Sequence, residues 1–190
     1  MRCMTLYHEQ PGPENTAATI EAALARAREL HIGQMVVAST HGKTAHLVLD
    51  AMGDFPCRVV VVAISSSFGP EGWVMDERTR DILYSRGATV LQGIHALGDD
   101  VNAALSGAEG NICPNVIVRK TLYRFCQGMK VCIEIVLMAA EAGVLKMDTE
   151  VLAVAGSGEG ADTAVVVKPA YARRFGDLQV RELIAKPRSW

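Results

Sequence analysis

The sequence has few of the features that mark several large classes of protein. Its five cysteines are an odd number without a C-x-x-C pair, so neither a disulfide framework nor a zinc knuckle is indicated. The five histidines contain no H-x-x-x-H pair, and no metal site is predicted. Lysine and arginine form no run, and the formal net charge is −2, which argues against a nucleic-acid partner. We expect the thiols to be reduced and mostly buried.

Long apolar runs are also missing. The first 15 residues hold no apolar core of signal-peptide length. The longest apolar stretch, near residues 126–140, is interrupted by Gln127, Lys130 and Glu134. We therefore expect a cytoplasmic protein without a membrane partner. A length of 190 residues, of which 49% are hydrophobic, favours one domain over residues 1–190.

Short runs rich in valine and isoleucine alternate with stretches whose apolar residues recur every three or four positions, and this alternation predicts β-α units. Strands are expected at 4–9, 34–39, 57–64 and 88–93. Helices are expected at 12–33 (with a polar start at Asn15 and Thr16 and Gly33 as a stop), 43–52, 75–87, about 100–105 and about 114–142. The continuous apolar run at 57–64 is typical of a parallel strand that is covered on both faces.

The last third of the sequence changes character, because strand-like segments follow one another without a helix pattern between them. These segments are 150–158, 161–170 and 177–188. We therefore predict an α/β fold with three layers (α/β/α) and a mostly parallel sheet whose C-terminal part is mixed or antiparallel.

The stretch "STHGKT", residues 39–44, stands where a buried strand passes into a helix. In open parallel sheets, ligands bind beyond the carboxyl ends of the strands, where helix N-termini present unpaired N–H groups. The residues that suit a phosphate there are the hydroxyl residues Ser39, Thr40 and Thr44, the flexible Gly42, the cation Lys43, and His41 if protonated. The same letters also fit a helix capped by Ser39 or Thr40 and followed by a solvated lysine.

The tail of this stretch, "HGKT", matches the end of the P-loop pattern G-x-x-x-x-G-K-[ST]. The first glycine of that pattern would have to be residue 37, which is Val37. No Walker-type aspartate follows a strand convincingly, so a nucleoside triphosphatase is not predicted.

A second glycine-rich stretch, "GSGEGADT" at residues 156–163, follows a later strand. It satisfies the dinucleotide fingerprint G-x-G-x-x-[GA], but that fingerprint must open a helix, whereas the β-branched "TAVVVKP" comes next. We interpret it as strand, loop and strand, and taken alone a plain hairpin connection is the simpler explanation. Its candidate ligand-binding residues are Gly156, Ser157, Gly158, Gly160, Asp162 and Thr163.

The two stretches together resemble the C-terminal domain of pyruvate kinase. There, a strand ends in a loop of the type S-G-[RK]-[ST]-A that binds a sugar phosphate, and a later G-S-G loop closes over the same ligand. Over nearly its whole length the chain is more specifically similar to the stand-alone pyruvate kinase alpha/beta domain-like proteins. The similarity is carried by "PGPENT", "VVAST-GKTA", "GMKVCIEIVLMAAEAG", "GADTAVVVKPA" and "DLQVRELIAKPR". The chain departs from the family after residue 64, where a histidine is expected and Ser65, Ser66 and Ser67 stand before Phe68.

The resemblance implies a three-layer domain without the catalytic barrel of pyruvate kinase, and so without the residues that bind phosphoenolpyruvate, ADP and metals. Pyruvate kinase activity is therefore not implied. What it does imply is a phosphate-anchored small-molecule site. It also suggests flavin mononucleotide (FMN) as an occupant, since FMN joins one phosphate to a flat ring.

Further ligand contacts are expected from polar residues near the same edge of the sheet. Asn15 and Thr16 start the first helix, either as caps or by directing its N-terminus at the ligand. His8 and His95, at strand ends, are better candidates than His31, which is most simply a capping or packed residue. The remaining candidates are Ser65 and Phe68, in the loop that departs from the family pattern.

The predicted long helix carries two thiols and a set of polar residues. Cys126 and Cys132 lie among apolar residues with no helix N-terminus expected near them, so we predict core packing rather than nucleophiles. Four polar residues near one face are expected to form a stripe with modest i,i+4 pairing: Gln127, Lys130, Glu134 and Glu141. Burial of that face would favour an oligomer interface, and a homo-oligomer is predicted.

We expect a small-molecule binding protein, with regulation as a candidate role, that holds FMN or a sugar phosphate between residues 39–44 and 156–163. The alternative is a flavin-dependent oxidoreductase or a phosphate-handling enzyme in which His41, His95 or Asp162 transfers protons. A third interpretation is an assembly module with a vestigial site.

Overall fold

A computed structural model describes residues 3–98, 101, 104–105 and 113–190. The strands are β1 (Leu6–His8), β2 (Gln34–Ala38), β3 (Arg58–Ala63), β4 (Thr89–Gln92), β5 (Val151–Ala155), β6 (Thr163–Lys168) and β7 (Gln179–Pro187). The α-helices are α1 (Thr16–Glu29), α2 (Lys43–Met52), α3 (Glu77–Ser85), α4 (Pro114–Leu122) and α5 (Gln127–Glu141). Short 3-10 helices occupy Pro13–Asn15, Ser66–Glu71 and Ala172–Asp177.

The strands form one sheet with the order β1-β7-β6-β5-β2-β3-β4. Neighbouring strands are parallel except where β6 pairs with β5 and β7. Within the described ranges, every strand other than β6 therefore ends at one edge of the sheet, which we call the carboxyl edge. The predicted mostly parallel sheet with mixed pairing in its C-terminal part is confirmed.

Helices cover both faces of the sheet, because successive strand residues point to opposite sides. Val37 and Val61 belong to a core that α1, α2 and α3 cover. The neighbouring residues Val36 and Val60 belong to a second core, covered by α5. Since both faces of the central strands are buried, these strands read as continuous apolar runs in the sequence. The predicted three layers are confirmed.

The chain leaves two adjacent strands in opposite directions. From β2 it passes through α2 to β3 on one side, and from β5 it passes through a hairpin to β6 on the other. Adjacent parallel strands with diverging connections leave a crevice between the loops that follow them, which is a common place for ligands. Here those loops are residues 39–42 and 156–162.

The prediction of one long helix over about 114–142 is wrong, because the chain forms α4 and α5 with a turn between them. Cys126 takes an extended φ of 174°, and its Sγ accepts a hydrogen bond from Met129 N at 3.3 Å, so it caps α5. The expectation that no helix N-terminus lies near Cys126 is also wrong. Burial nevertheless raises the pKa of this thiol. Cys126 and Cys132 are buried in the core, as predicted.

Helix α1 begins at Thr16 as expected but ends at Glu29, before Gly33. The exposed His31 takes a left-handed φ of 56°. Its N–H donates to Arg28 O at 3.3 Å, and Ile32 N donates to Ala27 O at 2.9 Å. This pair of hydrogen bonds is a Schellman motif, so His31 is a capping residue, one of the two roles predicted for it.

Other differences from prediction lie at the ends of elements and in the loops. The strands are a few residues shorter than predicted, and the 3-10 helices at Ser66–Glu71 and Ala172–Asp177 lie where loops were expected. The helix predicted at about 100–105 falls mostly outside the described residues. In the part of the chain that the structure describes, no helix is long and apolar enough to cross a membrane.

Candidate functional site

A crevice of about 550 Å³ opens at the carboxyl edge between β2 and β5. Small-molecule sites commonly enclose roughly 300–1,000 Å³. The walls come from segments that are far apart in the sequence: the loops after β2 and β5, the starts of α1 and α5, and residues that follow β3 and β4. The topology of the sheet is what brings these segments together.

The loop after β2 forms one wall and carries most of the predicted phosphate ligands. Ser39, Thr40, His41, Lys43 and Thr44 all line the crevice. Gly42 lies behind them with a φ of 85°, and a Cβ at this position would collide with the side chain of Thr79. Ser39 Oγ accepts a hydrogen bond from Ala45 N at 3.3 Å, which ties the loop to the first turn of α2. The loop therefore packs against Thr79 of α3 and is hydrogen-bonded to the first turn of α2.

Three helices begin at the crevice. Thr16 of α1, Lys43 of α2 and Gln127 of α5 are the first residues of their helices, and each lines it. The first N–H groups of an α-helix have no partner within the helix and carry a partial positive charge. The convergence of three such ends favours an anionic group between them.

The loop after β5 forms the opposite wall, through Gly156, Gly158, Glu159 and Gly160. The predicted strand–loop–strand is confirmed, since β5 and β6 pair antiparallel. Gly160 has a φ of 70° and lies so close to Pro13 and Thr16 that a Cβ would collide with both. Thr16 Oγ1 accepts a hydrogen bond from Ala161 N at 2.9 Å and donates one to Pro13 O at 2.6 Å. Thr16 thus joins the start of α1 to the loop after β5, residues 156–162, which we call the late loop.

Three predicted ligand residues, Ser157, Asp162 and Thr163, do not line the crevice. Asp162 is fully buried; its Oδ2 accepts a hydrogen bond from Ser157 N at 3.0 Å, and its Oδ1 accepts one from Thr163 Oγ1 at 2.7 Å. Thr163 Oγ1 also lies 3.3 Å from Cys126 Sγ, at the start of α5. The carboxylate of Asp162 therefore ties the backbone at residue 157 to the start of β6, and this placement disagrees with proton transfer from Asp162 to a ligand.

Flat side chains line another side of the crevice. Trp73, His95 and Tyr123 face it. Phe68 lies behind them and stacks on His95 and Trp73, with ring centroids 6.1 and 6.4 Å apart. Trp190 Nε1 donates a hydrogen bond to Tyr123 O at 2.9 Å. These rings offer faces on which a planar ligand can stack.

The other predicted contacts are divided between the crevice lining and its surroundings. Thr16 and His95 line the crevice, but Asn15, Ser65 and Phe68 do not. Asn15 Nδ2 donates a hydrogen bond to the backbone O of residue 10 at 2.9 Å, and Ser65 Oγ accepts one from the N–H of residue 67 at 3.4 Å. Both side chains therefore serve local structure.

His8 is buried instead of facing the crevice. Its Nε2 lies 2.8 Å from Thr19 Oγ1. Burial lowers the pKa of His8, against smaller opposing effects from the nearby carboxylates of Asp162 and Glu14.

A charged pair that is not among the predicted ligand residues also lines the crevice. Lys130 and Glu134 are only 6% and 3% exposed, and Lys130 Nζ lies 2.6 Å from Glu134 Oε2. Glu134 Oε1 accepts a second hydrogen bond from Leu97 N at 2.9 Å. The predicted i,i+4 pairing is confirmed, and the face proves to be buried at these two positions. The signal in the sequence is two opposite charges, four residues apart, in a helix that is otherwise mostly apolar.

A comparison with protein families shows what the chain is similar to. The family model described as "Pyruvate kinase, alpha/beta domain" matches residues 17–167, which is most of the chain. The matched span runs from the first turn of α1 to Val167 in β6 and contains both crevice loops.

Proposed function

The chain belongs to the pyruvate kinase alpha/beta domain family, and on this premise we propose that it is a small-molecule binding protein that holds a phosphorylated ligand in the crevice. The observation that supports the proposal best is that residues 39–44 and 156–160 face each other where α1, α2 and α5 begin. A phosphate there would meet helix N–H groups, hydroxyls and the ammonium of Lys43. Pyruvate kinase activity is not part of the proposal.

FMN is the occupant that we propose first, and a sugar phosphate is the second. Two different surfaces of the crevice suit the two parts of FMN: the helix N-termini suit its phosphate, and Trp73, His95 and Tyr123 suit its ring. A sugar phosphate would use the same phosphate end. In either case, residues 39–44 and the backbone of the late loop would hold the phosphate.

The proposal is tested by a titration in which the fluorescence of FMN reports its binding to the protein. We expect saturable binding by the parent protein, competition by inorganic phosphate, and weaker binding of riboflavin, which lacks the phosphate. Lys43→Ala should weaken FMN binding by about 1.5–3 kcal/mol, the range for a hydrogen bond to a charged group.

Lys146→Ala is the matched control for this titration. Lys146 is exposed and precedes β5, at the opposite edge of the sheet, so its removal changes the net charge equally without touching the crevice. The control should bind FMN like the parent. Equal FMN affinity of Lys43→Ala and the parent would contradict the assignment of the phosphate site.

One observation favours a second candidate function, a flavin-dependent oxidoreductase or a phosphate-handling enzyme. His41 and His95 both line the crevice, and an imidazole nitrogen can accept or donate a proton during catalysis. This candidate requires turnover. It is tested by following bleaching of bound FMN by NADH or NADPH under anaerobic conditions, and phosphate release from p-nitrophenyl phosphate.

A homo-oligomer and a cytoplasmic location stay predictions. The polar face of α5 was expected to favour an interface if it proved buried, but one copy of the chain already covers Lys130 and Glu134. Light scattering during gel filtration gives the mass in solution and tests the oligomer directly.

A further inference from the structure

The buried pair Lys130–Glu134 forms part of the crevice wall. Two charges withdrawn from water are costly unless they are paired and hydrogen-bonded, and in some proteins such a buried pair provides specificity. Here the pair lies next to the space for a ligand, on the same helix whose first residue, Gln127, also lines it.

The pair has hydrogen-bonding capacity left for a ligand. An ammonium carries three donors, and in the described part of the chain the hydrogen bond that Lys130 Nζ makes is to Glu134. A carboxylate offers about four acceptor positions, of which Lys130 and Leu97 N occupy one each. Donors and acceptors are thus presented side by side in the wall.

The pair is also fixed in position and neutral as a unit. Leu97 N donates a hydrogen bond to Glu134 Oε1. The backbone at Gly98 packs against the pair, since a Cβ at this position would lie 3.4 Å from both Lys130 Nζ and Glu134 Oε1. At an N–O distance of 2.6 Å the carboxylate cancels most of the field of the ammonium. An unpaired lysine would attract a second anionic group, whereas this pair suits a neutral polar one.

We propose that the Lys130–Glu134 pair selects phosphomonoesters whose remaining part is uncharged and carries adjacent hydrogen-bond donors and acceptors, and that it discriminates against ligands with a second anionic group. This inference rests on the proposed function, because it assigns the part of the ligand that the phosphate does not account for. The edge of a flavin ring, with carbonyl groups beside an N–H, belongs to the favoured class.

Sorbitol 6-phosphate and 6-phosphogluconate provide a matched test, because they are open-chain phosphomonoesters that differ in a terminal hydroxymethyl or carboxylate group. Each is titrated as a competitor of bound FMN, or by calorimetry. We expect the parent protein to prefer sorbitol 6-phosphate by about tenfold or more. Glu134→Gln keeps the shape of the side chain and an acceptor for Leu97 N but leaves the ammonium uncompensated, so the preference should shift by about tenfold or more toward 6-phosphogluconate.

Asp148→Asn is the control, since it removes the same charge from an exposed position before β5, at the opposite edge of the sheet. It should leave the affinities for both ligands, and therefore their ratio, unaltered. A second variant, Lys130→Met with Glu134→Leu, replaces the pair by apolar side chains of similar length, a change that often preserves folding. It should bind inorganic phosphate like the parent and lose affinity for FMN and sorbitol 6-phosphate by about tenfold.

The outcomes separate this inference from the proposed function. If the parent binds inorganic phosphate and FMN, but Glu134→Gln leaves the ligand ratio unchanged or the double variant binds FMN like the parent, the inference is wrong and the phosphate site stands. If the parent binds neither inorganic phosphate nor any phosphomonoester of the set, the proposed function fails and the inference fails with it.

Discussion

Two glycines of the late loop have similar backbone angles but different surroundings. Gly158 has a φ of 88° and Gly160 a φ of 70°, and residues other than glycine rarely adopt such positive values. An added Cβ at Gly158 would meet nothing within 4 Å, whereas at Gly160 it would collide with Pro13 and Thr16. The first glycine is therefore needed for its dihedral angle alone, and the second also for the close approach of α1.

Alanine substitutions separate these two effects. Gly158→Ala should lower the free energy of unfolding by about 1–2 kcal/mol, the cost of a left-handed alanine. Gly160→Ala should lower it by about 2–5 kcal/mol, because overpacking adds to that cost. It should also weaken FMN binding more than Gly158→Ala does, since the late loop must move away from α1. Urea unfolding and FMN titration measure both effects, and equal losses in the two variants would contradict the role assigned to Gly160.

His8 gives the protein a pH-dependent stability. Burial is the main reason why its pKa lies below the ordinary value of 6.5, so the folded state prefers the neutral imidazole. The unfolded state binds the proton more readily, so the stabilisation is complete above the unfolded pKa and is lost as the pH falls toward the lowered pKa of the folded state.

We expect the melting temperature to fall between about pH 7.5 and pH 5.5, and to fall less steeply in His8→Gln. His31→Asn is the control, since His31 is exposed and asparagine tolerates its left-handed backbone. The control should follow the slope of the parent. An unchanged slope in His8→Gln would show that other groups carry the pH dependence.

At the scale of the elements, α5 reaches the sheet through a glycine in its first turn. A Cβ at Gly128 would collide with Thr163 of β6 and lie 3.0 Å from Asp162 Oδ1. The close approach lets Thr163 Oγ1 lie within 3.3 Å of Cys126 Sγ and keeps the late loop attached to α5. The close approach of Thr163 therefore accounts for the glycine at position 128.

Gly128→Ala therefore sets two effects of opposite sign against each other. Alanine is favoured over glycine by up to about 1 kcal/mol in a helix, and by less in its first turn. Forcing a methyl group into packed side chains costs about 1–3 kcal/mol, and the loss of the Asp162–Thr163 hydrogen bond adds about 1 kcal/mol. We expect net destabilisation of about 1–3 kcal/mol in urea unfolding. A variant more stable than the parent would contradict the packing described for α5.

The sequence predicted the central strands and α2 well because their local signals agree with their tertiary surroundings. β3 is covered on both faces and reads as a continuous apolar run, and α2 occupies the predicted residues 43–52. The break between α4 and α5 was missed, since residues 123–126 include no proline or glycine and the extended Cys126 depends on contacts with Thr163. Local propensity contains no information about such a distant partner.

The candidate site was predicted only in part, for a similar reason. The loop at residues 39–44 faces the crevice as the pattern suggested, whereas Asp162 turns inward to bond Ser157 N and Thr163 Oγ1. Polar residues in a glycine-rich stretch look alike in a sequence whether they face a ligand or support the loop. The spacing of Lys130 and Glu134 predicts their pairing. It contains no information about Leu97, which follows β4 in the sequence and donates a hydrogen bond to Glu134.

At the scale of the whole molecule, the crevice depends on strand order more than on any one segment. The sheet places β5 beside β2, although more than a hundred residues separate them in the sequence, and their loops diverge to opposite sides. The starts of α1 and α5 reach the same edge because both helices run antiparallel to the strand that follows them. A ligand in this position would contact the chain near Thr16, near Lys43 and near Gly160 at the same time.

Hydrogen exchange can test this simultaneous contact. At an FMN concentration about a hundredfold above the dissociation constant, binding should stabilise the folded state by about 2.7 kcal/mol through mass action. Local protection should rise most in peptides that cover 13–20, 39–46 and 156–163, since the ligand would contact all three. Peptides at the opposite edge, such as 53–58 and 144–150, should gain no more protection than the overall stabilisation of the folded state requires.

Protection confined to one of the three segments would mean that the ligand does not bridge the two loops, and the shared crevice would not be the binding site. If Lys43→Ala and Gly160→Ala each weaken the protection of all three segments, residues from both walls act on one ligand, because the two substitutions lie on opposite walls of the crevice.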